Sequence, residues 1–356
     1  VAVLLVWLAQ DLSFFYDEWG MILQRDITLD GLLQPWNEHP SVLLVLAWRT
    51  LLGLFGTVSY WPFLLLAWLS HAAVVGAVYV ITRDRAPAVW ATAAALLMAV
   101  LGSGSENILW AFQVAPNLSV ALGLIAVWIA PRRPGTAAAL LTVSTLTQGV
   151  GLAFLAGAGL HLLLTRPRSV WWMAVPALLW GAWYVAFGSS VIGSHGWNLL
   201  GVPAFVAGGL AYTAAGILGT RELAIGAGAI IGLAVVIVRQ RTVDPVHIAL
   251  IASAVAFFAM TGLVRAQDTI GPALQSRYVY VAAPALLIVA ASVLSRIQVQ
   301  PALRPIFPAI LTFALVGNVG LMILGQHARL DRQRCEEAHI PVAERMVTSE
   351  LRSYPC

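Results

Sequence analysis

Tyr60-Trp-Pro-Phe-Leu-Leu-Leu-Ala-Trp-Leu-Ser-His-Ala-Ala-Val-Val-Gly-Ala-Val-Tyr-Val-Ile-Thr82 runs for 23 residues without an Asp, Glu, Lys or Arg, then meets Arg83-Asp84-Arg85. A helix that crosses the hydrocarbon core of a bilayer needs about 17–25 such residues. Lipid offers no partner to a backbone N–H or C=O, so a segment of this kind pairs its own backbone as a helix. Similar apolar runs recur at 1–14, 87–103, 117–130, 136–147, 149–165, 169–187, 223–238, 246–264, 279–295 and 305–325. None shows the two-residue alternation of a membrane β-barrel. Composition agrees: 60% of the 356 residues are hydrophobic and 10% charged, where soluble domains carry roughly 25% charged residues. The expected fold is an all-α, polytopic transmembrane helical bundle of about eleven spans, with juxtamembrane helices in its first outer loop.

Two further apolar runs, 41–56 and 203–219, are short and interrupted by glycine, and whether they cross decides the topology. The positive-inside rule arbitrates. If neither crosses, the inner loops hold Arg83, Arg85, Arg132, Arg133, Arg166, Arg168, Arg239, Arg241, Arg296 and Arg304 against Asp84 and Asp244. The other side then carries the remaining ten arginines against fourteen carboxylates. Making 41–56 a span would move Arg83 through Arg168 outside, so residues 12–59 are assigned to the outer side. Residues 136–165 are too long for one span and too short for two, with Gln148-Gly149-Val150-Gly151 in the middle. Two short helices meeting at the outer side fit the charges; one long tilted span is the other possibility.

Every basic residue is Arg, a mark of GC-rich coding, and no basic patch interleaves with aromatics, which argues against a nucleic-acid partner. The chain opens with Val1-Ala-Val-Leu-Leu-Val-Trp7, already inside an apolar run that ends near Leu12. Lacking a basic leader and a small-residue cleavage site, this stretch is expected to be a truncated span. Residues 1–325 make up the transmembrane domain, and 326–356 a short polar tail outside the membrane. The tail holds both cysteines, Cys335 and Cys356, as a disulfide or as two thiols.

Chemistry gathers in the outer loops. The first carries Asp11, Asp17-Glu18-Trp19, Arg25-Asp26, Asp30 and Trp36-Asn37-Glu38-His39-Pro40. A carboxylate partly desolvated at the membrane surface is a general base for a hydroxyl acceptor; the plainer account is a solvated loop with aromatic anchors. Neighbours on a helix point about 100° apart, so Asp17 and Glu18 are expected to serve different roles. The second loop places Glu106, Trp110 and Gln113 at i, i+4 and i+7, one face if the segment is helical. In the third, Arg277-Tyr278 precedes a span, and an Arg there either binds a phosphate or snorkels to headgroups. His195, also in an outer loop, is a weaker candidate. No His or Cys pair has metal-ligand spacing; the carboxylates offer oxygens to a divalent cation without forming a full ligand set. Glycine-rich nucleotide loops are missing, which disfavours a nucleotide-sugar donor.

The ordered set Asp17-Glu18, Glu38-His39-Pro40, Glu106 and Arg277-Tyr278 resembles the GT-C superfamily of polyprenyl-phosphate-sugar-dependent glycosyltransferases. The general likeness is to the branch of protein O-mannosyltransferases and lipid A aminoarabinose transferases. The resemblance implies an inverting sugar transfer from a polyprenyl-phosphate donor to a glycan, lipid or protein acceptor. Such an enzyme would be multi-pass in a bacterial plasma membrane, with its site facing out. It implies Asp17, Glu18 and Glu106 as catalytic carboxylates, Asp17 the base. His39, Arg277 and Tyr278 would bind the donor phosphate, and Glu38, Trp110 and Gln113 would contact acceptor or sugar. Where His39 stands the family often has Lys. The competing expectation is a non-enzymatic transporter or flippase of a lipid-linked glycan, which would place charges at mid-membrane rather than at one surface.

Overall fold

The computed structural model describes residues 1–189, 198–240, 244–265, 271–298, 300–303 and 305–343. Among these residues the chain is helical throughout, with no strand beyond a single bridge between Trp36 and His39. Helices α1 (Ala2–Ala9), α2 (Asp17–Gln24), α3 (Leu29–Leu33) and α4 (Val42–Phe55) precede the first long one, α5 (Trp61–Arg83). They are followed by α6 (Ala88–Ala99), α7 (Ser105–Leu109), α8 (Val114–Ile129), α9 (Pro134–Thr147), α10 (Gly151–Thr165) and α11 (Ala174–Trp183). The last five are α12 (Val202–Ile217), α13 (Leu223–Gln240), α14 (Pro245–Arg265), α15 (Ser276–Leu294) and α16 (Ile306–Ala343). The protein is a polytopic helical membrane protein.

Seven helical stretches among the described residues are long and apolar enough to cross a bilayer, or eight if the bent pair Ala88–Ala99 and Gly102–Leu109 counts as one span. The expected count of about eleven is not reached. The run 136–165 folds as two helices of 14 and 15 residues, parted at Gln148–Val150. At about 1.5 Å per residue each reaches roughly two-thirds of the hydrocarbon thickness. The run at the start of the chain forms only the eight-residue α1. Helices α4 and α12, with 14 and 16 residues, also fall below the length of a span.

Helix α15 is the central post. Its side chains from Val279 to Val293 are buried with the exception of Ala290, the pattern of a helix apolar on every side and packed on every side. By contrast, α13 buries only Gly226 and presents the rest of its apolar surface outward, as a lipid-facing helix does. At one end of the bundle Asp84 accepts from Trp128 Nε1 at 3.0 Å and pairs with Arg85 at 2.8 Å and Arg132 at 3.6 Å. Arg85 also reaches Asp244 at 3.1 Å. These contacts hold the Asp84 carboxyl below its usual range, the Trp128 hydrogen bond foremost. They gather the three loops that follow α5, α8 and α13, which are loops the charge count assigns to a common side. Tyr60 and the acidic first loop lie at the far end of α5, about 34 Å away by helical rise.

Helix α6 ends where Gly102 meets α16. The Gly102 N–H donates to Asn318 Oδ1 at 2.9 Å, and Asn318 Nδ2 donates to the carbonyls of Ile217 and Ala314. A Cβ at position 102 would run into the Asn318 carbonyl oxygen and the Met322 nitrogen, both backbone atoms that cannot swing away. Gly102→Ala is therefore expected to destabilise the protein by about 1–3 kcal/mol, the usual cost of overpacking. Gly76→Ala, in α5 with open space around it, should be neutral or slightly stabilising. Thermal unfolding in detergent compares the two; equal midpoints would contradict this packing.

Candidate active site

The site is built where the first loop, α7, α15 and α16 meet. Phe14 and Phe15 tuck inward, and Phe14 packs edge-on against Tyr60 and Phe63 at 5.0 Å each. The chain then turns through Tyr16 in the left-handed region, at φ 52°. A side-chain-bearing residue holds that conformation only when its surroundings impose it. They do so here through Glu18, which is fully buried. Its Oε2 accepts from the Phe15 N–H at 2.8 Å. Its Oε1 accepts from the Tyr60 hydroxyl at 2.7 Å and the Phe112 N–H at 3.1 Å. Arg329 Nη2 stands 3.6 Å from Oε2. Burial raises the Glu18 pKa to about 7, while Arg329, Tyr60 and the two N–H donors pull the other way. Glu18, expected among the catalytic carboxylates, thus has both oxygens engaged and no surface open to a substrate.

Asp17 differs. It opens α2, half-buried, and accepts no hydrogen bond from any described residue. Burial raises its pKa, and the Arg277 guanidinium opposes that shift. Arg277 sits in the first turn of α15, its Nε donating to Gln275 Oε1 at 3.0 Å and its guanidinium 5.5 Å from the centre of the Tyr278 ring. Among the described residues it forms no ion pair within 4.0 Å.

The turn Trp36–His39 brings the second motif to the same place. Trp36 and His39 exchange backbone hydrogen bonds at 2.9 and 3.1 Å, and Asn37 takes the left-handed conformation Asn tolerates best. Arg25 braces this loop by donating to the carbonyls of Gly31, Gln34 and Pro35. Glu38 pairs with Arg265, at the end of α14, at 2.7 Å. The His39 imidazole abuts Gly149 in the α9–α10 corner. Burial lowers its pKa to about 4, with Glu38 opposing and Arg265 and Arg277 assisting. His39 is therefore a neutral imidazole at physiological pH, offering a hydrogen bond in place of the charge a Lys would bring.

The second outer loop departs from expectation. Glu106, Trp110 and Gln113 do not share a helical face, because α7 ends at Leu109 and Trp110 is extended at φ −124°, ψ 116°. The break lets Trp110 turn under Arg329, 5.6 Å from ring centre to guanidinium, and stack on Phe112 at 5.4 Å. Trp110 is 5% exposed and Gln113 4%, the latter beside Asn107 at 3.4 Å. Both are buried in packing, where an expected contact with acceptor or sugar would need an opening beside them. Glu106 does join the site: its N–H donates to Ser276 Oγ at 3.2 Å, next to Arg277, and its carboxylate faces Arg332 at 3.8 Å. Glu106 thus bonds to the first turn of α15, and Arg277 in that turn acts electrostatically on both Asp17 and His39.

Arg329 was not foreseen. Residues past 325, expected to be a separate tail, continue α16 without a break to Ala343. Gln326, Arg329, Leu330 and Gln333 are buried at i, i+3, i+4 and i+7, so the helical stripe was present in the sequence, written in polar letters. Arg329 covers the Phe15 ring at 4.1 Å and donates to the Ser13 carbonyl at 3.2 Å. Cys335 is in a disulfide; its expected partner Cys356, and likewise His195, lie outside the described residues. Among the described residues no three His, Cys, Asp or Glu side chains gather as an ion site.

A multi-spanning bundle whose first acidic loop meets the start of a late central helix is the class of fold defined here. It is similar to the crystal structure of ArnT from Cupriavidus metallidurans bound to undecaprenyl phosphate. The two superpose with a TM-score of 0.53 at 15% identity over 85% of this chain and 69% of that one. The likeness is one of fold, a polytopic helical membrane architecture like that of ArnT. No protein-family profile matches it, and no curated protein sequence matches it at a significant level.

Proposed function

We propose that the protein is a membrane glycosyltransferase that moves a sugar from a polyprenyl-phosphate donor to a hydroxyl acceptor, with inversion, on the side opposite its arginine-rich loops. The observation that carries this is Asp17, a half-buried carboxylate with no hydrogen bond among the described residues, under the electrostatic influence of Arg277, which pairs with no carboxylate among those residues. In this scheme the acceptor oxygen bonds to the anomeric carbon as the bond from that carbon to the phosphate oxygen breaks. Asp17 takes the acceptor proton, and the electron pair leaves on the polyprenyl phosphate. Arg277 meets the charge that grows on the phosphate, held in place by Tyr278 and helped by the dipole of α15. The neutral His39 hydrogen-bonds the same group, and Glu106 orients a sugar or acceptor hydroxyl. Glu38 acts through Arg265, which it fixes at the rim. The solved ArnT holding undecaprenyl phosphate supports a lipid phosphate as ligand of this fold.

The test is direct. Purified protein in liposomes, given polyprenyl-phosphate-linked sugars and envelope extract as acceptor, should release polyprenyl phosphate and glycosylate the acceptor. Donor binding with no transfer under any acceptor would refute the enzymatic assignment and favour a carrier of the lipid-linked sugar.

A further inference from the structure

We propose that Glu18, Tyr60 and Arg329 form a clamp that positions Asp17 for proton abstraction, which makes the membrane-distal part of α16 a working part of the site. This inference rests on the glycosyltransferase assignment above and deepens it.

Among the described residues the Asp17 side chain makes no hydrogen bond. Its aim is therefore set by Tyr16 and Glu18, the residues on either side. Glu18 closes a ring by returning to the Phe15 N–H, three residues back. That bond fixes the left-handed turn at Tyr16, and the Tyr16 N–H is in turn within 3.2 Å of Glu336 on α16. Tyr60 ties the ring to α5, its oxygen accepting from the Ala111 N–H at 3.0 Å while its proton goes to Glu18. Arg329 closes the assembly from above, stacked on Phe15 and directed at Glu18, Tyr60 and the Ser13 carbonyl. The charged or titratable groups that face Glu18 are thus Tyr60 from α5 and Arg329 from α16, with backbone N–H groups from the two loops. None reaches a substrate, so these are positioning residues.

A clamp built on an ion pair needs Glu18 ionised, and its pKa sits at about 7. The folded-state pKa lies above the usual carboxylate value, so the ionised clamp is populated above pH 7 and lost as pH falls through 7. The experiment compares Glu18→Gln, Arg329→Gln and the double variant with wild type by sugar transfer across pH 5.5–8.5. Active sites are counted by stoichiometric binding of polyprenyl phosphate. Per bound site, kcat should fall about 10²-fold in each single variant, the usual effect of misplacing a reacting group by about 1 Å. KM should stay within about twofold. The double variant should be no worse than the singles, since they break one unit. The limb of the wild-type profile near pH 7 should vanish in Glu18→Gln. Transfer by wild type with the same limb and the same kcat in Glu18→Gln would overturn the clamp alone. Wild-type protein that binds the lipid phosphate and transfers nothing would overturn the enzymatic assignment, and the clamp's catalytic use with it. If Arg329→Gln yields no folded protein, Arg329→Lys, which keeps the charge and loses the fork, should restore folding with intermediate kcat; wild-type kcat there would also overturn the clamp.

Discussion

Replacing Asp17 by Asn lowers sugar transfer by about 10³-fold, the expected effect of removing a general base, while the protein stays folded and still binds its donor. The substitution keeps the shape but removes the negative charge and its basic lone pair, turning one acceptor oxygen into an NH2 donor. Asp17 supports no described hydrogen bond, so little stability is at stake. That separates it from Glu18, whose replacement touches four interactions. The pH profile gives a second check. Burial raises the Asp17 pKa, so the base is progressively silenced at acid pH. Asn has no such transition, and its residual rate should not vary with pH on this account. A variant with wild-type turnover, measured as release of polyprenyl phosphate, would remove Asp17 from the mechanism.

Loss of Arg277 acts on the other partner. Hydrogen bonds to charged groups contribute about 1.5–3 kcal/mol, so Arg277→Ala should weaken polyprenyl-phosphate binding by roughly 10- to 100-fold. Turnover should fall as well, because leaving-group charge is greater in the transition state than in the ground state. Arg277→Lys should recover part of the binding, since it keeps the charge without the planar fork. A further consequence has a definite sign. Arg277 holds the Asp17 pKa down, so its removal raises that pKa and moves the acid limb of the activity profile to higher pH. Binding by calorimetry and the profile by transfer assay read these effects separately. Unchanged donor affinity in Arg277→Ala would place the phosphate elsewhere.

Much of this molecule was legible in its sequence. Apolar run length gave the helical membrane class. Arginine placement grouped loops that the structure joins through Asp84, Arg85, Arg132 and Asp244. The Gln148–Gly151 break between two short helices was marked by its glycines. Asp17, His39, Glu106 and Arg277, 260 residues apart at the extremes, were singled out by motif; Arg277 acts electrostatically on Asp17 and His39, and Glu106 bonds to Ser276 beside it. What failed did so for local physical reasons. Length rules count apolar residues and do not see where a helix stops, so 87–103 reads as one span although its helix ends at Ala99 and the chain bends by 42° into the piece Gly102–Leu109. Helical spacing placed Trp110 beside Glu106 because no glycine or proline announces the break at Trp110; tertiary packing around Arg329 makes it. Adjacent carboxylates gave no clue that Glu18 is interior while Asp17 is half-open. Arg329 was missed because polarity suggested solvent, although its stripe has the period of a buried face.

The contact between Arg329 and the first loop joins residues 316 positions apart. During synthesis Asp17 emerges before α16, which follows every other helix described here. Any nascent chain shorter than that lacks the group that locks the Phe15–Glu18 turn. Biogenesis therefore has its own order of events: the proposed base is made before the helix that locks the turn beside it. A nascent chain that stops short of Arg329 carries the Asp17 carboxylate without the contact that braces the turn beside it.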